Sequence, residues 1–258
     1  MLSEAASFLK RNGIESPRLN AERLLASVLN ADRVGLYLQF DRPLSDSERS
    51  SVRDLLRRRA SGEPLQYLLG ETEFMSLTFR VNPSVLIPRP ETEILVEAVL
   101  ERYREASPSL LDAGTGSGCI AVSLARYAPS ARVTAFDADE GALEAARSNA
   151  VLNGVGERVR FVRADMRDDF PSLLGGTYDA LVSNPPYVSA ADFAALPAEI
   201  REHEPRGALC DEGDGLFFYR RLAETGGRVL APGGRIFLEM GDAQSPEVRR
   251  LFEEAGWR

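Results

Sequence analysis

The pattern of apolar and polar positions divides the chain into an amino-terminal stretch of short helices and a longer stretch in which strands and helices alternate. The clearest early helix starts at Ser45, which has capping-box spacing with Glu48, and Gly62 ends it. Ser16 before Pro17 predicts another helix start, with serine as N-cap and proline in the first turn. The buried stripe of the capping-box helix is formed by Val52, Leu55 and Leu56. The amino-terminal stretch is therefore predicted to be all-helical.

A short segment between these stretches has the alternation of a strand. Within residues 71–83, Leu77, Phe79 and Val81 alternate with polar residues, and Phe74 precedes them. This pattern predicts a hairpin that bridges two domains. We therefore divide the chain into a helical domain over residues 1–69, a β-hairpin linker over residues 70–88 and an α/β domain over residues 89–258.

From Pro90 onward, apolar runs alternate with helical stretches, which is typical of the βαβ units that build a parallel sheet. One helix, over residues 120–127, follows a glycine-rich turn. The predicted strands are Leu110–Ala113, Val133–Phe136, Val159–Arg163, Ala180–Ser183 and Arg235–Glu239. The expected fold class is α/β, a Rossmann-like sheet with a small all-helical amino-terminal domain.

Composition excludes several classes of protein. The chain has 44% hydrophobic and 27% charged residues, which is an ordinary globular composition. No apolar run approaches the roughly 18 residues of a membrane-spanning helix. The first residues lack the basic and apolar regions of a secretory signal. Because Cys119 and Cys210 lie far apart and His203 is the only histidine, neither a zinc cluster nor a nucleophile–histidine relay is expected. We expect a soluble cytoplasmic protein without a metal site.

The first candidate binding feature is a glycine-rich turn after the strand that starts at Leu110. Its spacing is GxGxG and no GK[ST] follows, so a phosphate-binding loop is not favoured. Asp112 precedes the turn, and a carboxylate there can hold the ammonium of S-adenosylmethionine directly or through water. The turn itself would accommodate the sugar and the sulfonium with Gly114, Thr115, Gly116, Ser117 and Gly118.

Two further acids follow the next strands in order. Asp137, at the end of the second strand, can accept hydrogen bonds from the ribose hydroxyls. Asp165, after the third strand, can accept from the adenine amino group, while Met166 packs on the adenine face. Either acid could instead be a helix N-cap. Their ordered appearance with Asp112 favours the nucleotide interpretation.

The candidate chemical end is Asn184-Pro185-Pro186-Tyr187, which follows the fourth predicted strand. An amide or aromatic amine nitrogen is a poor nucleophile, because its lone pair is delocalised. The Asn184 oxygen and a proline carbonyl can accept its two N–H bonds and aim the nitrogen at the methyl group. Tyr187 would stack on the planar target. No general base is evident, and none is required if the proton leaves after attack.

These motifs resemble those of the HemK/PrmC family, the N5-glutamine methyltransferases that modify the Gly-Gly-Gln motif of peptide-chain release factors. The resemblance spans most of the chain. It rests on segments 62–67, 87–93, 114–118, 184–187, 204–205, 208–209, 214–216 and 239–241, and on Gly70.

The resemblance implies a Rossmann-like S-adenosylmethionine-dependent methyltransferase, in which the helical domain helps to hold the protein partner. It places the cofactor on the glycine turn, Asp137 and Met166, and the glutamine on the segment 184–187, with Asn184 counted in both sets. Three further residues could lie at the mouth of the pocket or could equally cap the first helix of the α/β domain: Arg89, Glu91 and Thr92.

Two departures from the family pattern are visible. Met166 stands where family members carry an aromatic residue, which should alter stacking on the adenine without removing the pocket. Family members also finish the sheet with an antiparallel strand pair after the helix predicted over residues 245–255, whereas the sequence stops at Arg258. We favour truncation, since absence of these strands would expose a sheet edge.

Two rival functions share much of this pattern. Nucleic-acid N-methyltransferases also use an NPPY segment, but a net charge of −8 and a pI of about 5.0 do not favour phosphate binding. The basic cluster near one helix end fits a solvated face better; it consists of Arg53, Arg57, Arg58 and Arg59. A noncatalytic S-adenosylmethionine-binding module is the other rival, and the intact Asn184 and Tyr187 argue against it.

Overall fold

The computed structural model describes residues 1–38 and 41–258, which form two compact units. One unit comprises Met1–Gly70 with Pro197–His203, and the other comprises Glu71–Leu196 with Glu204–Arg258. We call them the helical unit and the sheet unit. The division differs from the predicted one in two respects. The hairpin belongs to the sheet unit, and a short later segment joins the helical unit.

The helical unit is built on a small apolar core that includes Leu9 and Leu24, both fully buried. Its helices are α1 (Leu2–Arg11), α2 (Pro17–Val28), α3 (Arg33–Leu38), α4 (Asp46–Ala60), α5 (Leu65–Leu69) and, numbered in chain order, α11 (Ala198–His203). A buried arginine explains why α11 belongs here. Arg59 donates to Asn20 Oδ1 at 2.8 Å and pairs with Glu199 of α11 at 2.9 Å. A buried charge requires such partners.

The predicted helix boundaries have two outcomes. The capping box of α4 is confirmed, since Ser45 Oγ accepts from Glu48 N and the Glu48 carboxylate accepts from Ser45 N. Pro17 is the first residue of α2 as expected, and Ser16 occupies the N-cap position. Within the described residues, however, the Ser16 side chain makes no capping hydrogen bond. Its backbone is left-handed, with φ of 44°, and not the extended form from which an N-cap hydroxyl reaches the first turn.

The predicted hairpin is confirmed as the antiparallel pair β1 (Glu71–Phe74) and β2 (Leu77–Arg80). Met75 and Ser76 both have positive φ, as a two-residue hairpin turn requires. The buried rings of Phe74 and Phe79 meet edge to face at 6.0 Å and join the core of the sheet unit. This packing is the reason that the hairpin is part of that unit and not a free linker.

The sheet unit contains five parallel strands in the order β5-β4-β3-β6-β7 among the described residues. They are β3 (Ser109–Ala113), β4 (Arg132–Asp137), β5 (Val159–Arg163), β6 (Tyr178–Ser183) and β7 (Leu230–Leu238). All five predicted strands exist. Strand β7 starts at Leu230, before the predicted Arg235, and therefore contains Pro232 and the glycines that follow it. Proline is tolerated here because β7 is an edge strand with an irregular register.

Both faces of the sheet are covered, so successive residues of a strand enter different cores. Leu110 packs with the hairpin and with α6 and α7, while Leu111 packs with α9 and α13. The helices of this unit are α6 (Glu91–Tyr103), α7 (Cys119–Tyr127), α8 (Glu140–Leu152), α9 (Phe170–Leu174), α10 (Ala190–Phe193), α12 (Arg206–Leu209), α13 (Phe217–Thr225) and α14 (Ser245–Glu254).

The strand order reverses at β3, whose neighbours are β4 on one side and β6 on the other. In such sheets, ligands bind outside the carboxyl ends of the strands at this switch point. In the part of the chain that the structure describes, no helix is both long and apolar enough to cross a membrane.

Candidate active site

A cavity of about 470 Å³ opens at the carboxyl ends of the strands in the sheet unit. This volume lies within the range of about 300–1,000 Å³ of small-molecule sites. Many of the predicted site residues line it: Arg89, Thr92, Gly114, Thr115, Gly116, Ser117, Asp137, Asp165, Met166, Asn184 and Pro186. The other predicted residues are not among those that line it: Asp112, Gly118, Pro185, Tyr187 and Glu91.

The glycine turn carries the chain from β3 to α7 in a conformation that favours glycine. Gly114, Gly116 and Gly118 all have positive φ. A Cβ on Gly118 would lie 3.0 Å from the Ala146 side chain and 3.1 Å from its Cα, so the residue also permits close packing of α7 on α8. The turn thereby presents its backbone to the cavity.

Asp112 is fully buried behind this turn. Its Oδ2 accepts hydrogen bonds from Thr115 Oγ1 at 2.6 Å and Ala121 N at 3.2 Å. Its Oδ1 has no hydrogen-bond partner among the described residues. Burial raises the pKa of Asp112 to about 7. A buried carboxylate oxygen without a donor costs free energy, so this atom is suited to a ligand that brings an N–H group.

Asp137 ends β4 and lines the cavity. Its two oxygens accept from Gly116 N at 2.9 Å and Asp139 N at 3.0 Å, and burial raises its pKa. The N-cap of α8 is Asp139, whose side chain accepts from Ala142 N. The alternative interpretation of Asp137 as a helix cap is therefore wrong. Its carboxylate instead holds the glycine turn at the cavity wall.

Asp165 and Met166 follow β5 and also line the cavity. Asp165 accepts from Arg167 N at 2.8 Å within a turn, and α9 begins only after Asp169, so Asp165 is not a helix N-cap. Met166 is buried beside the glycine turn, with its Cε 3.2 Å from the point where a Cβ on Gly114 would stand. The methionine thus sets the width of this end of the cavity.

Asn184 follows β6, which lies on the other side of β3 from β4, and it lines the cavity. Its Nδ2 donates to Thr92 Oγ1 at 3.2 Å, and that hydroxyl donates to Glu239 Oε2 at 2.7 Å. Tyr187 is half-buried, and burial raises the pKa of its hydroxyl. The loop at Gly215 lies so close that a Cβ there would stand 2.6 Å from the Tyr187 carbonyl oxygen.

The segment before α6 forms part of the opposite wall. Arg89 lines the cavity and pairs with Glu204, whose side chain is buried and also accepts from Ile87 N at 3.1 Å. Glu91 is exposed in the first turn of α6, and Pro90 occupies the N-cap position without a side-chain cap. Arg89 and Thr92 are therefore wall residues, and neither they nor Glu91 serves as the N-cap.

Several wall residues carry no motif that would reveal them in the sequence: Pro83, Ser84, Cys119, Gly207 and Phe218. Glu239 is also absent from the predicted site, although the resemblance rests in part on residues 239–241. Glu239 is the last residue of the predicted strand, and only this position at the carboxyl end of a strand could have indicated its proximity to Asn184. Among the described residues, no group of three or more histidine, cysteine or acidic side chains could hold a metal ion.

Comparison with known proteins agrees with this geometry. The PrmC N-terminal domain family matches residues 1–70, and the methyltransferase small domain family matches residues 90–206. A release factor glutamine methyltransferase of Geobacter sulfurreducens is 44% identical over 257 residues, which cover 100% of this chain and 88% of that protein. A protein of the same name from Bordetella pertussis is 43% identical, with 94% and 88% covered.

Among solved structures, a methyltransferase from Pyrococcus furiosus superposes with a TM-score of 0.52 at 20% identity, covering 81% of this chain and 87% of the other. At this identity the likeness concerns the fold alone. The Rossmann-like methyltransferase fold expected from the sequence is confirmed.

Proposed function

Because this chain belongs to the family of release factor glutamine methyltransferases, we propose that it methylates the side-chain nitrogen N5 of a glutamine in a peptide-chain release factor. The methyl donor is S-adenosylmethionine, and the target is the glutamine of the Gly-Gly-Gln motif. The observation that carries the proposal is a single cavity onto which both the glycine turn and Asn184 open.

The residues at one end of the cavity fit the methyl donor. The unpartnered Oδ1 of Asp112 would accept from the ammonium of its methionine end. Asp137 would bind the ribose hydroxyls, Asp165 the adenine amino group, and Met166 would pack on the adenine face. The turn from Gly114 to Gly118 would hold the sugar and the sulfonium. When bound, the cofactor supplies an electrophilic methyl group.

The residues at the other end orient the acceptor. Asn184 Oδ1 and a carbonyl of the Pro185–Pro186 pair would accept the two N–H bonds of the glutamine amide, which fixes the nitrogen for in-line attack. The prolines hold that carbonyl rigid. The acceptor nitrogen would form a bond to the methyl carbon as the carbon–sulfur bond breaks, the sulfur would keep the electron pair and leave as a neutral thioether, and the nitrogen would then release its proton to solvent. Tyr187 would stack its ring on the planar amide. Burial raises the pKa of its hydroxyl, so the hydroxyl stays neutral and does not act as a base.

The remaining assignments concern the protein partner. We assign Arg89 and Glu91 to contacts with residues that flank the glutamine, and the helical domain over residues 1–69 to recognition of the release factor. Such a substrate places the enzyme in the cytoplasm, where translation ends. A nucleic-acid substrate is disfavoured by the net charge of −8, which opposes binding to phosphates.

Transfer of labelled methyl to a purified release factor tests the proposal. The control acceptors are the same factor with alanine in place of the Gly-Gly-Gln glutamine, and DNA and RNA. Label on the intact factor alone supports the proposed substrate and site. Label on nucleic acid alone would overturn the substrate while preserving nitrogen methylation. Cofactor binding without transfer to any acceptor would instead support a noncatalytic module.

A further inference from the structure

Three residues from distant parts of the sequence form a hydrogen-bonded chain beside the cavity. Asn184 follows β6, Thr92 lies in the first turn of α6, and Glu239 follows β7. Asn184 Nδ2 lies 3.2 Å from Thr92 Oγ1, which in turn lies 2.7 Å from Glu239 Oε2. Thr92 is buried, with 2% of its surface exposed, so solvent does not compete for its hydroxyl.

The direction of each hydrogen bond follows from the chemistry of the groups. An ionised carboxylate only accepts, so the single proton of the Thr92 hydroxyl goes to Glu239. The hydroxyl oxygen then has only lone pairs to offer Asn184, and it must meet an N–H donor. Burial raises the pKa of Glu239 above its ordinary value, and hydrogen bonds from Thr92, Asn184 and Tyr187 oppose this shift by favouring the ionised form.

We propose that Thr92 and Glu239 are positioning residues that fix the side-chain amide of Asn184 with its oxygen available to the acceptor nitrogen. The two ends of an asparagine amide have nearly the same shape, and only their hydrogen-bond partners distinguish them. With the amide reversed, Oδ1 would face the lone pairs of Thr92. Nδ2 would then meet the N–H bonds of the substrate, donor against donor.

The backbone of Glu239 is held on both sides, as a positioning group requires. Its N–H donates to the Ser183 carbonyl at 3.0 Å, and its own carbonyl accepts from the Tyr219 hydroxyl at 2.9 Å. Ser183 directly precedes Asn184, so the carboxylate is fixed to the same strand end as the amide that it orients. Thr92, expected from the sequence to contact substrate, acts in this scheme through Asn184.

The inference rests on the proposed function and is tested with variants of the full chain. Thr92→Val keeps the shape of the side chain and removes the hydroxyl, Thr92→Ser restores the hydroxyl, and Glu239→Gln removes the charge. Glu97→Gln is the matched control, because Glu97 is an exposed acid on the same helix. The measurements are kcat, KM for the release factor, Kd for S-adenosylmethionine and the midpoint of thermal unfolding.

We expect kcat of Thr92→Val to fall about 10- to 100-fold, the scale of a misplaced orienting group, with KM and Kd within about twofold of wild type. Thr92→Ser should recover most of the loss, and Glu239→Gln should lower kcat with the same unchanged KM and Kd. Glu97→Gln should match wild type.

A wild-type kcat in Thr92→Val would overturn the inference. So would a loss that Thr92→Ser does not recover, or one in which Kd, KM and the unfolding midpoint worsen together, since that marks a structural role. Failure of the proposed function is distinguishable, because the wild-type enzyme itself would then transfer no methyl to the release factor before any variant is compared.

Discussion

The two ends of the cavity are built in different ways. At the cofactor end, Asp112, the glycine turn and Asp137 lie within 26 positions of the sequence and belong to two adjacent strands and the turn after the first. The two carboxylates accept hydrogen bonds from backbone N–H groups and from the Thr115 hydroxyl. At the acceptor end, Asn184 depends on side chains of residues 92 and 239. In the proposed function, the first end is a local backbone structure that binds the cofactor, and the second is an assembly of side chains from distant parts of the sequence that orients the acceptor.

This difference predicts that the two functions can be separated by mutation. Changes at the cofactor end should weaken binding of S-adenosylmethionine and leave the chemical step largely intact at saturation. Changes at the acceptor end should slow the chemical step and leave cofactor affinity intact. A substitution that changed cofactor affinity and the rate of the chemical step equally would show that the two ends do not act separately.

The largest effect is expected for Asn184→Ala. Removing the oxygen that orients the acceptor nitrogen should lower kcat by about 10²–10³-fold. The sequence also counted Asn184 among the cofactor residues, but we now assign it to the acceptor alone, so Kd for S-adenosylmethionine should stay within about twofold. Single-turnover kinetics at saturating cofactor and calorimetric binding measure the two quantities. A comparable loss of cofactor affinity would show that Asn184 belongs to both ends and that the separation is incorrect.

Asp112→Asn should produce the opposite split. Loss of a charged hydrogen bond worth about 1.5–2 kcal/mol should raise Kd for S-adenosylmethionine by about 10- to 30-fold, with kcat at saturation little changed. Equilibrium binding and initial rates at high cofactor concentration provide the check. Wild-type affinity in this variant would mean that the unpartnered Oδ1 does not meet the ammonium.

The acidity of Asp112 gives a pH test of the same contact. Its pKa of about 7 means that the carboxyl is protonated at pH 6 and ionised at pH 8. Cofactor affinity should therefore rise about tenfold between these pH values, since only the ionised form attracts the ammonium. In the protein without cofactor, stability should change in the opposite direction, falling as pH rises from about 4 to about 7, because the folded state favours the protonated acid. Asp112→Asn should abolish the rise in affinity and reduce the fall in stability, to which the raised pKa values of Asp137 and Glu239 also contribute. Slopes unchanged from wild type would assign both trends to other groups.

The smallest effect is expected for the Tyr187 hydroxyl. Tyr187→Phe keeps the ring, so kcat should remain within about twofold of wild type, whereas Tyr187→Ala should lower it about 3- to 10-fold through lost stacking. Steady-state rates with the release factor measure both. A loss in Tyr187→Phe as large as that in Asn184→Ala would give the hydroxyl a chemical role and contradict the proposed mechanism.

The contrast between the two ends also explains what the sequence could predict. The parallel sheet, the glycine turn, the acid that ends β4 and the acid that follows β5 can each be predicted from a contiguous stretch of sequence. The structure places Asp137, Asp165 and Met166 in the lining of one cavity. The alternation of apolar runs with helical stretches likewise predicted all five strands of the parallel sheet. The edge position that admits Pro232 into β7 is a property of the sheet and not of the local sequence.

Features that depend on tertiary contacts were not predictable from such patterns. The transfer of α11 to the helical unit depends on Arg59 finding Glu199, 140 positions away. The bond between Thr92 and Glu239 spans 147 positions. At Ser16, the residue type suggested a cap, but a left-handed backbone prevails. For Arg59 and Thr92, the residue type alone indicates no role, because the role depends on a partner far away in the sequence. For Ser16, the backbone conformation decides.

In the proposed function, the cavity directs a methyl group to one planar nitrogen of a protein glutamine. Tandem mass spectrometry of a release factor after incubation with the enzyme and S-adenosylmethionine tests this most directly. We expect one added methyl group on the side chain of the Gly-Gly-Gln glutamine, absent from the reaction with Asn184→Ala over a matched time. A methyl group on any other residue of the factor would contradict it.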